Sequence, residues 1–536
     1  MKKILLGLLL YSSFRLISQV TFTDSNLPII VINTGTATIV DAYKITADFG
    51  VIYNGPGNRN YLTDPYNYFG KIGIEIRGST SQQYPKKSYG LETRDILGNN
   101  LDTTILGLPP ENDWILYGAY PDKTLMRNEI TYDLFRRMGH YDARYKFVEL
   151  VINGQYKGVY SFMEKLKRDK NRINISKLTL ADTIGDQLTG GYVIKVDKPT
   201  GSSTSTWNSP YNSKVKYLYH DPEDVDLTTT QKNYIKNYVV NFENVTNSPG
   251  YNNPVSGYPS LIDVNSFVDF MIMQELGKTV DGYRSSSFMY KDKDSKGGLL
   301  KAGPMWDFNL SYGNADYCAA YDTTGYQYKF NMLCGSTFTS NVPFYWEKFT
   351  QDTNFCNKLQ CRWQYLRKTI LKEDSINKRI DDLATILAES QVRNFIQWPI
   401  LGVYVNWNYY IGATYLDELN YLKKWFRSRS SWLDTNWPGT CYLDVSIGEQ
   451  NTIPVSWQAF PNPATNYFYI KVNEPFYLSG AELRLCDVNG KEVLKESNIN
   501  YNEILILKGN LAAGMYFFNL QQNGKLVAKG KIVFTD

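Results

Sequence analysis

Apolar and polar residues alternate with a period of two through much of the N-terminal part of the chain, the mark of half-buried strands. Val20 to Val51 alternates in this way and reads as a β hairpin or edge layer. KIGIEIR, Lys71 to Arg77, is a clean strand; Gly78 to Gln83 (GSTSQQ) is a small polar turn, and Tyr84 to Thr93 resumes as a strand. Asn112 to Gly118 reads as a buried strand ending in a turn. Tyr145–Ile152 and Tyr156–Met163 flank Asn153–Gly154, a strong hairpin signal. Gly191 to Asp197 (GYVIKVD) is a further strand, and the Ser/Thr/Asn-rich stretch 201–214 reads as a surface loop. One helix interrupts this series. It starts near Pro121–Asp122, carries Met126, Ile130, Leu134 and Met138 at i, i+4 spacing, and ends at Gly139, with Glu129 beside the stripe. From Thr228 the period becomes helical. The expected helices run over 228–245, 263–276 (capped by Asp263), 354–371, 376–395 and 415–432. The composition changes again near 440–456, and a compact run of short alternating strands follows, with Asn–Gly turns at 489–490 and 523–524. The reading is α+β: a β-rich part, then a helical part, then a small all-β sandwich.

Composition narrows this picture. A chain of 536 residues with 43% hydrophobic and 21% charged residues is ordered and large enough for several domains. A formal net charge of +4 is too small at this length to argue for nucleic acid. Only two histidines, His140 and His220, leave no set for a His-ligated zinc enzyme, and no C-x-x-C suggests a zinc knuckle. Lys2, Lys3 and the short apolar run Ile4 to Tyr11 read as a signal peptide over 1–19. No other stretch is apolar enough to span a bilayer, so the expected mature form has no integral membrane span. Export permits disulfides, and six cysteines allow 15 full pairings among which sequence does not choose.

The candidate chemistry lies in Asp281 to Asn314, DGYRSSSFMYKDKDSKGGLLKAGPMWDFNLSYGN. Two apolar runs, 284–291 and 299–305, flank a tip of Asp, Lys, Ser and Gly, so the stretch reads as a hairpin. A hairpin brings its ends together, placing Asp281 near Asp307, and two carboxylates at one end of a hairpin suit a divalent metal. Upstream, a strand, a Gly/Ser turn and a strand carrying lysine form a layout that covers a phosphate. Arg77, Ser79 and Lys87 are the candidates there, with Lys87 taken as inward-facing by parity with Tyr89 and Leu91. The same patterns also fit ordinary hairpins with solvated lysines and strand-end Asp caps. The DKDSKGG tip lacks the later Glu of a calcium loop, and GSTSQQ lacks the G-K-[ST] of a Walker A loop.

Taken together and in order, IEIRGSTSQQYPKKSYGLE, DWILYGAYPDKTLMRNEI, VELVINGQYKGVYSFMEK, GGYVIKVD and LLKAGPMWDFNLSYGN resemble the spore-coat CotH kinase family over about residues 70–435. That resemblance implies an atypical protein-kinase-like two-lobe fold, ATP with Mg²⁺ or Mn²⁺, and phosphoryl transfer to protein Ser/Thr. It implies Asp281 as the catalytic Asp and Asp307 as the metal-binding Asp. The family's usual Asn five residues after the catalytic Asp is Ser286 here, and the common Asp two after the metal Asp is Asn309; both are expected at the metal. Glu164 is expected at a lobe-connecting hinge beside the nucleotide. The terminal segments FPNPATNYFYI, LCDVNGKEV and LAAGMYFFNL resemble the type A sorting domain of the type IX secretion system, which implies a Bacteroidetes-type cell and export to the cell surface or beyond. The expected layout is a signal peptide over 1–19, an N-terminal β segment over 20–69, a kinase-like domain over 70–440, a linker over 441–455 and a sorting domain over 456–536. The expected partners are ATP, a secreted or surface protein substrate and the type IX secretion machinery, with no nucleic acid. A non-enzymatic pseudokinase scaffold or adhesin is the alternative that Ser286 and Asn309 leave open.

Overall fold

A computed structural model describes residues 20–199, 206–441, 455–473, 476–488, 490–523 and 525–536. The expected signal segment and most of the expected linker lie outside the described residues, as do parts of the 201–214 loop and of both C-terminal Asn–Gly turns. The chain divides into two compact units, Met1–Tyr442 and Leu443–Asp536.

In the first unit, strands β1 (Ile29–Asn33), β2 (Ile45–Ile52), β3 (Tyr68–Arg77), β4 (Ser88–Arg94) and β5 (Asp113–Tyr117) are followed by helix α1 (Arg127–Arg137) and by β6 (Tyr145–Ile152) and β7 (Gln155–Glu164). These seven strands close into a barrel in the order β1-β2-β3-β4-β5-β7-β6. Closure rests on a parallel pairing of β1 with β6, Ile30 opposite Leu150. The segment 20–69 is therefore not a separate layer; it supplies two complete barrel strands. Alternate residues such as Ile32, Phe49, Ile74, Trp114, Leu150 and Phe162 point inward and fill the barrel, as period-two patterning requires. The β6–β7 turn uses Asn153 and Gly154, both with positive φ (49° and 74°), the geometry that matches hairpin twist.

A second sheet follows. Strands β8 (Tyr192–Val196), β9 (Thr206–Asn208), β10 (Lys216–Asp221), β11 (Ser287–Lys291) and β12 (Leu300–Ala302) are ordered β9-β10-β8-β11-β12. Part of the expected surface loop at 201–214 is thus strand, and Trp207 is buried in it. Helix α2 (Thr229–Thr246) begins with a capping box of Thr228 and Gln231, and α3 (Val264–Gly277) begins at its expected cap, Asp263, which accepts from the Ser266 amide. The later helices are α4 (Thr353–Lys368), α5 (Glu373–Ile386), α6 (Ser390–Gln397) and α7 (Tyr415–Asn436). The single helix expected over 376–395 is two. Glu389 at the break accepts from the Asn26 amide and pairs with Arg59, which turns the chain toward the barrel. Disulfides join Cys318 to Cys334 and Cys361 to Cys441.

The second unit consists of a three-stranded sheet and a four-stranded sheet, both antiparallel, around Phe468, Ile470, Leu483, Leu485, Phe518 and Ile532. Among the described residues no helix is long and apolar enough to cross a membrane.

Candidate functional site

Helix α3 stops because Lys278 adopts a left-handed conformation (φ 42°). Its ammonium donates to the carbonyls of Ala319, Asp322 and Thr324, fixing the exit of the helix against the later loop. The next turn carries Asp281. Tyr283 (φ 66°) and Ser286 (φ 48°) in it are also left-handed, a strained backbone that persists only where packing over-determines it. Burial of the Tyr283 ring and donation of its hydroxyl to Glu275 Oε1 at 3.0 Å supply that restraint.

The β11–β12 hairpin forms as its composition predicts, with Met289 opposite Ala302 and Lys291 opposite Leu300. Past β12 the chain reaches Asp307, again left-handed (φ 64°). The Phe308 amide donates to Asn128 Oδ1 on α1 at 2.7 Å, and the Tyr312 amide to the Gly277 carbonyl at 2.7 Å. The approach is close at Gly277, where a Cβ would lie 3.0 Å from the Phe308 ring.

A third carboxylate joins these two. Strand β8 is antiparallel to β11, and the last pair is Val196 with Ser287. Asp197 directly follows Val196, just past the end of this ladder. The Asp307 carboxyl is pushed up to about 7, first by burial and then by the charges of Asp281 and Asp197; Lys198 and Arg77 act in the opposite sense. Asp307 keeps some solvent contact, and its carboxyl has no hydrogen-bond donor among the described residues. The hydroxyl of Ser286 and the side-chain amide of Asn309 also have no hydrogen bond among the described residues; the Asn309 carbonyl accepts from Asn314. Asp281 accepts one side-chain bond, from Arg284 at 3.0 Å. Asp197 pairs with Lys195 at 3.1 Å.

Two cations face this acidic end. Arg77, the last residue of β3, lies over the Trp306 ring at 5.8 Å and has no ion pair among the described residues. Burial lowers its pKa, and Asp307 is among the charges that raise it. Lys198 Nζ lies 3.3 Å from Thr80 Oγ1, in the GSTSQQ turn. That turn is a short 3-10 helix, Thr80–Gln83, with Ser79 exposed at its start. Lys198 thus touches the turn and, like Arg77, acts on Asp307.

Two expected positions are corrected. Lys86, not Lys87, is the inward lysine. Strand β4 begins only at Ser88, so the parity rule does not extend back to these residues. Lys86 Nζ donates to Val159 O and Asn394 Oδ1 at 2.6 and 2.9 Å, and burial lowers it to about 7. Lys87 is half-buried, with its ammonium on the Gln82 carbonyl of the turn at 2.5 Å. Glu164 does not present its side chain to the site. It is fully buried, with both oxygens taken by the Arg144 guanidinium (2.6 and 3.0 Å) and a further bond from Tyr141. Beside it, residues 165–168 line a cavity of about 290 Å³ with Asp113 and His220. His220 Nε2 donates to Leu166 O at 2.8 Å, and burial with nearby Lys195 holds the ring neutral, down to about 3.

Glu129 is buried on α1, one oxygen bonded to Ser161 and the other unpartnered, and burial pushes it up to about 8. Asp197, Lys198 and Arg284 were not singled out from sequence. Asp197 closes the quoted GYVIKVD strand, but its importance appears only through the β8–β11 register.

The carboxylates do not form a ready-made ion cage. Among the described residues no group of three or more His, Cys, Asp or Glu is tight enough to hold a metal unaided. A Mg²⁺-type ion, which takes one or two carboxylates and completes its shell with water and phosphate oxygens, fits this donor set. Mutual repulsion raising Asp307 is what a cation would relieve.

Comparison with known proteins gives two matches. The model of the family described as CotH kinase protein matches residues 74–433, more than half of the chain. That of the secretion system C-terminal sorting domain matches residues 458–535. No curated protein matches the chain. The sorting domain marks the protein for export to the cell surface through the type IX machinery.

Proposed function

The chain belongs to the CotH kinase protein family, and we propose that it is an exported atypical kinase transferring the γ-phosphoryl group of ATP to Ser/Thr hydroxyls of secreted or surface proteins, with Mg²⁺ or Mn²⁺. The observation that carries this reading is that Asp281 and Asp197, and the cations Lys198 and Arg77, all lie close enough to the buried Asp307 to act on its carboxyl. In this reading the barrel is the smaller, nucleotide-covering lobe. The part from β8 to α7 is the larger one, and residues 165–168 connect them. The cavity at 165–168 is then where the base sits.

Phosphoryl transfer asks the protein for positioning and charge rather than covalent chemistry. Arg77 and Lys198 meet the phosphate oxygens, and the 79–82 turn covers them. Asp307, with Ser286 and Asn309, would hold the cation, which would neutralise phosphate charge there. Asp281 accepts the proton of the attacking hydroxyl. Its carboxylate stays 29% exposed, open to an incoming acceptor.

A second reading is a nucleotide-binding pseudokinase. It is favoured by Ser286 and Asn309, neutral residues with short reach at two positions where a stronger metal grip is usual. Incubating the full chain with γ-labelled ATP, Mn²⁺ and a mixture of surface proteins separates the two. Label that disappears in Asp281→Asn supports the kinase. A thermal shift with ATP and Mn²⁺ but no label supports the pseudokinase.

A further inference from the structure

We infer that Arg284 is a positioning residue that makes the placement of Asp281 depend on the loop closed by the Cys318–Cys334 disulfide. This rests on the proposed role of Asp281. Arg284 is only 4% exposed, and its guanidinium makes three directed bonds. Nε donates to Val280 O at 2.7 Å, one terminal nitrogen to Asp281 Oδ1 at 3.0 Å, and the other to Ser340 Oγ at 2.6 Å. The first two grip the catalytic turn and the third grips the chain beyond the disulfide. Its flat face is held by Phe330 and Phe338, whose ring centres are 4.4 and 4.9 Å away. Among the described residues Arg284 is the only side chain hydrogen-bonded to the Asp281 carboxylate.

Both rings depend on the disulfide. Phe330 opens the short helix Phe330–Cys334, which ends in the bonded cysteine. Phe338 stacks on Tyr317, the residue before Cys318, at 5.7 Å, and packs on Phe330 at 5.6 Å. Opening the bond by a dithiol, which gives two cysteine thiols and leaves the dithiol oxidised, releases both walls of the Arg284 slot. The first part of the loop stays held by Lys278 on Ala319, Asp322 and Thr324. The effect therefore falls on the Phe330–Ser340 side and, through Arg284, on Asp281. A chain kept reduced before export would hold this carboxylate loosely, and oxidation outside the cell would complete the site.

The test uses the full chain and two readouts. Hydrogen exchange over 279–287 is compared in wild type, in Cys318→Ser/Cys334→Ser, in Arg284→Ala and in the control Cys361→Ser/Cys441→Ser. Faster exchange over 279–287 is expected in the first two variants and not in the control. Should the serine pair not fold, the folded control protein treated with dithiol gives the same reading. In transfer assays Arg284→Ala and Arg284→Lys both lower kcat by on the order of 100-fold with KM for ATP nearly unchanged, because an ammonium does not reproduce the three-way fork. Exchange over 279–287 equal to wild type in the serine pair, or an equal rise in the control, overturns the inference. Exchange decides the linkage even if wild type transfers no phosphate, a result that counts against the kinase reading alone.

Discussion

Asp307 offers the sharpest physical handle on the site. Its carboxyl is raised to about 7 by burial and by the charges of Asp281 and Asp197. Raising a carboxyl from an ordinary 3.8 to about 7 corresponds to about 4 kcal/mol against the ionised form. The partial solvent contact of Asp307 reduces this to about 2 kcal/mol. The sign follows from proton counts. Between pH 4 and 7 (roughly the span of the two values) the unfolded chain has lost a proton that the folded chain keeps, so the metal-free fold loses stability as pH rises through that window. Asp307→Asn removes the loss. It should melt at a higher temperature than wild type at pH 8 and at nearly the same temperature at pH 4.5. A cation competes with the same proton, so Mn²⁺ affinity should rise about tenfold per pH unit below 7 and level off above. Titration calorimetry with Mn²⁺ from pH 5.5 to 8.5, on wild type and Asp307→Asn, reads this directly. An affinity flat across that range, or the same slope in Asp307→Asn, refutes the reasoning.

Lys86 should show the opposite dependence. Its folded value, lowered to about 7 by burial, makes wild type gain stability as pH rises from 7 toward 10, and Lys86→Met should flatten that rise in thermal melts at pH 7 and 9.5. Glu129, raised to about 8, is protonated at neutral pH; Glu129→Gln should match wild type at pH 5 and exceed its melting temperature at pH 8.5. Glu164→Ala should cost about 3 kcal/mol in denaturant unfolding by leaving the Arg144 charge without its carboxylate partner, rather than selectively weakening ATP binding.

Local signals were the legible ones. The hairpin at 287–302, the Asn153–Gly154 turn and the cap Asp263 all lie where residue chemistry places them, because each depends on neighbours a few positions away. Asp281 and Asp307 are legible as a neighbouring pair for the same reason: the hairpin between them is local. What remained hidden depends on distant pairing. No pattern within 29–33 announces a parallel partner at 145–152, yet that pairing closes the barrel. Asp197 reads as one more strand-end carboxylate until β8 lies beside β11. Lys86 rather than Lys87 is the inward residue because alternation does not hold ahead of the strand, which begins at Ser88. The partner that takes the Glu164 carboxylate, Arg144, lies just before the paired strand, out of reach of any local pattern.

The central claim is that Asp281 serves phosphoryl transfer. The measurement that meets it most directly is the rate of phosphate transfer from γ-labelled ATP, with Mn²⁺, by wild type and by Asp281→Asn, with nucleotide binding followed in parallel. Labelled protein is expected with wild type, a fall of on the order of 100-fold or more in the variant, and ATP affinity nearly unchanged. Equal labelling by the two proteins would contradict it.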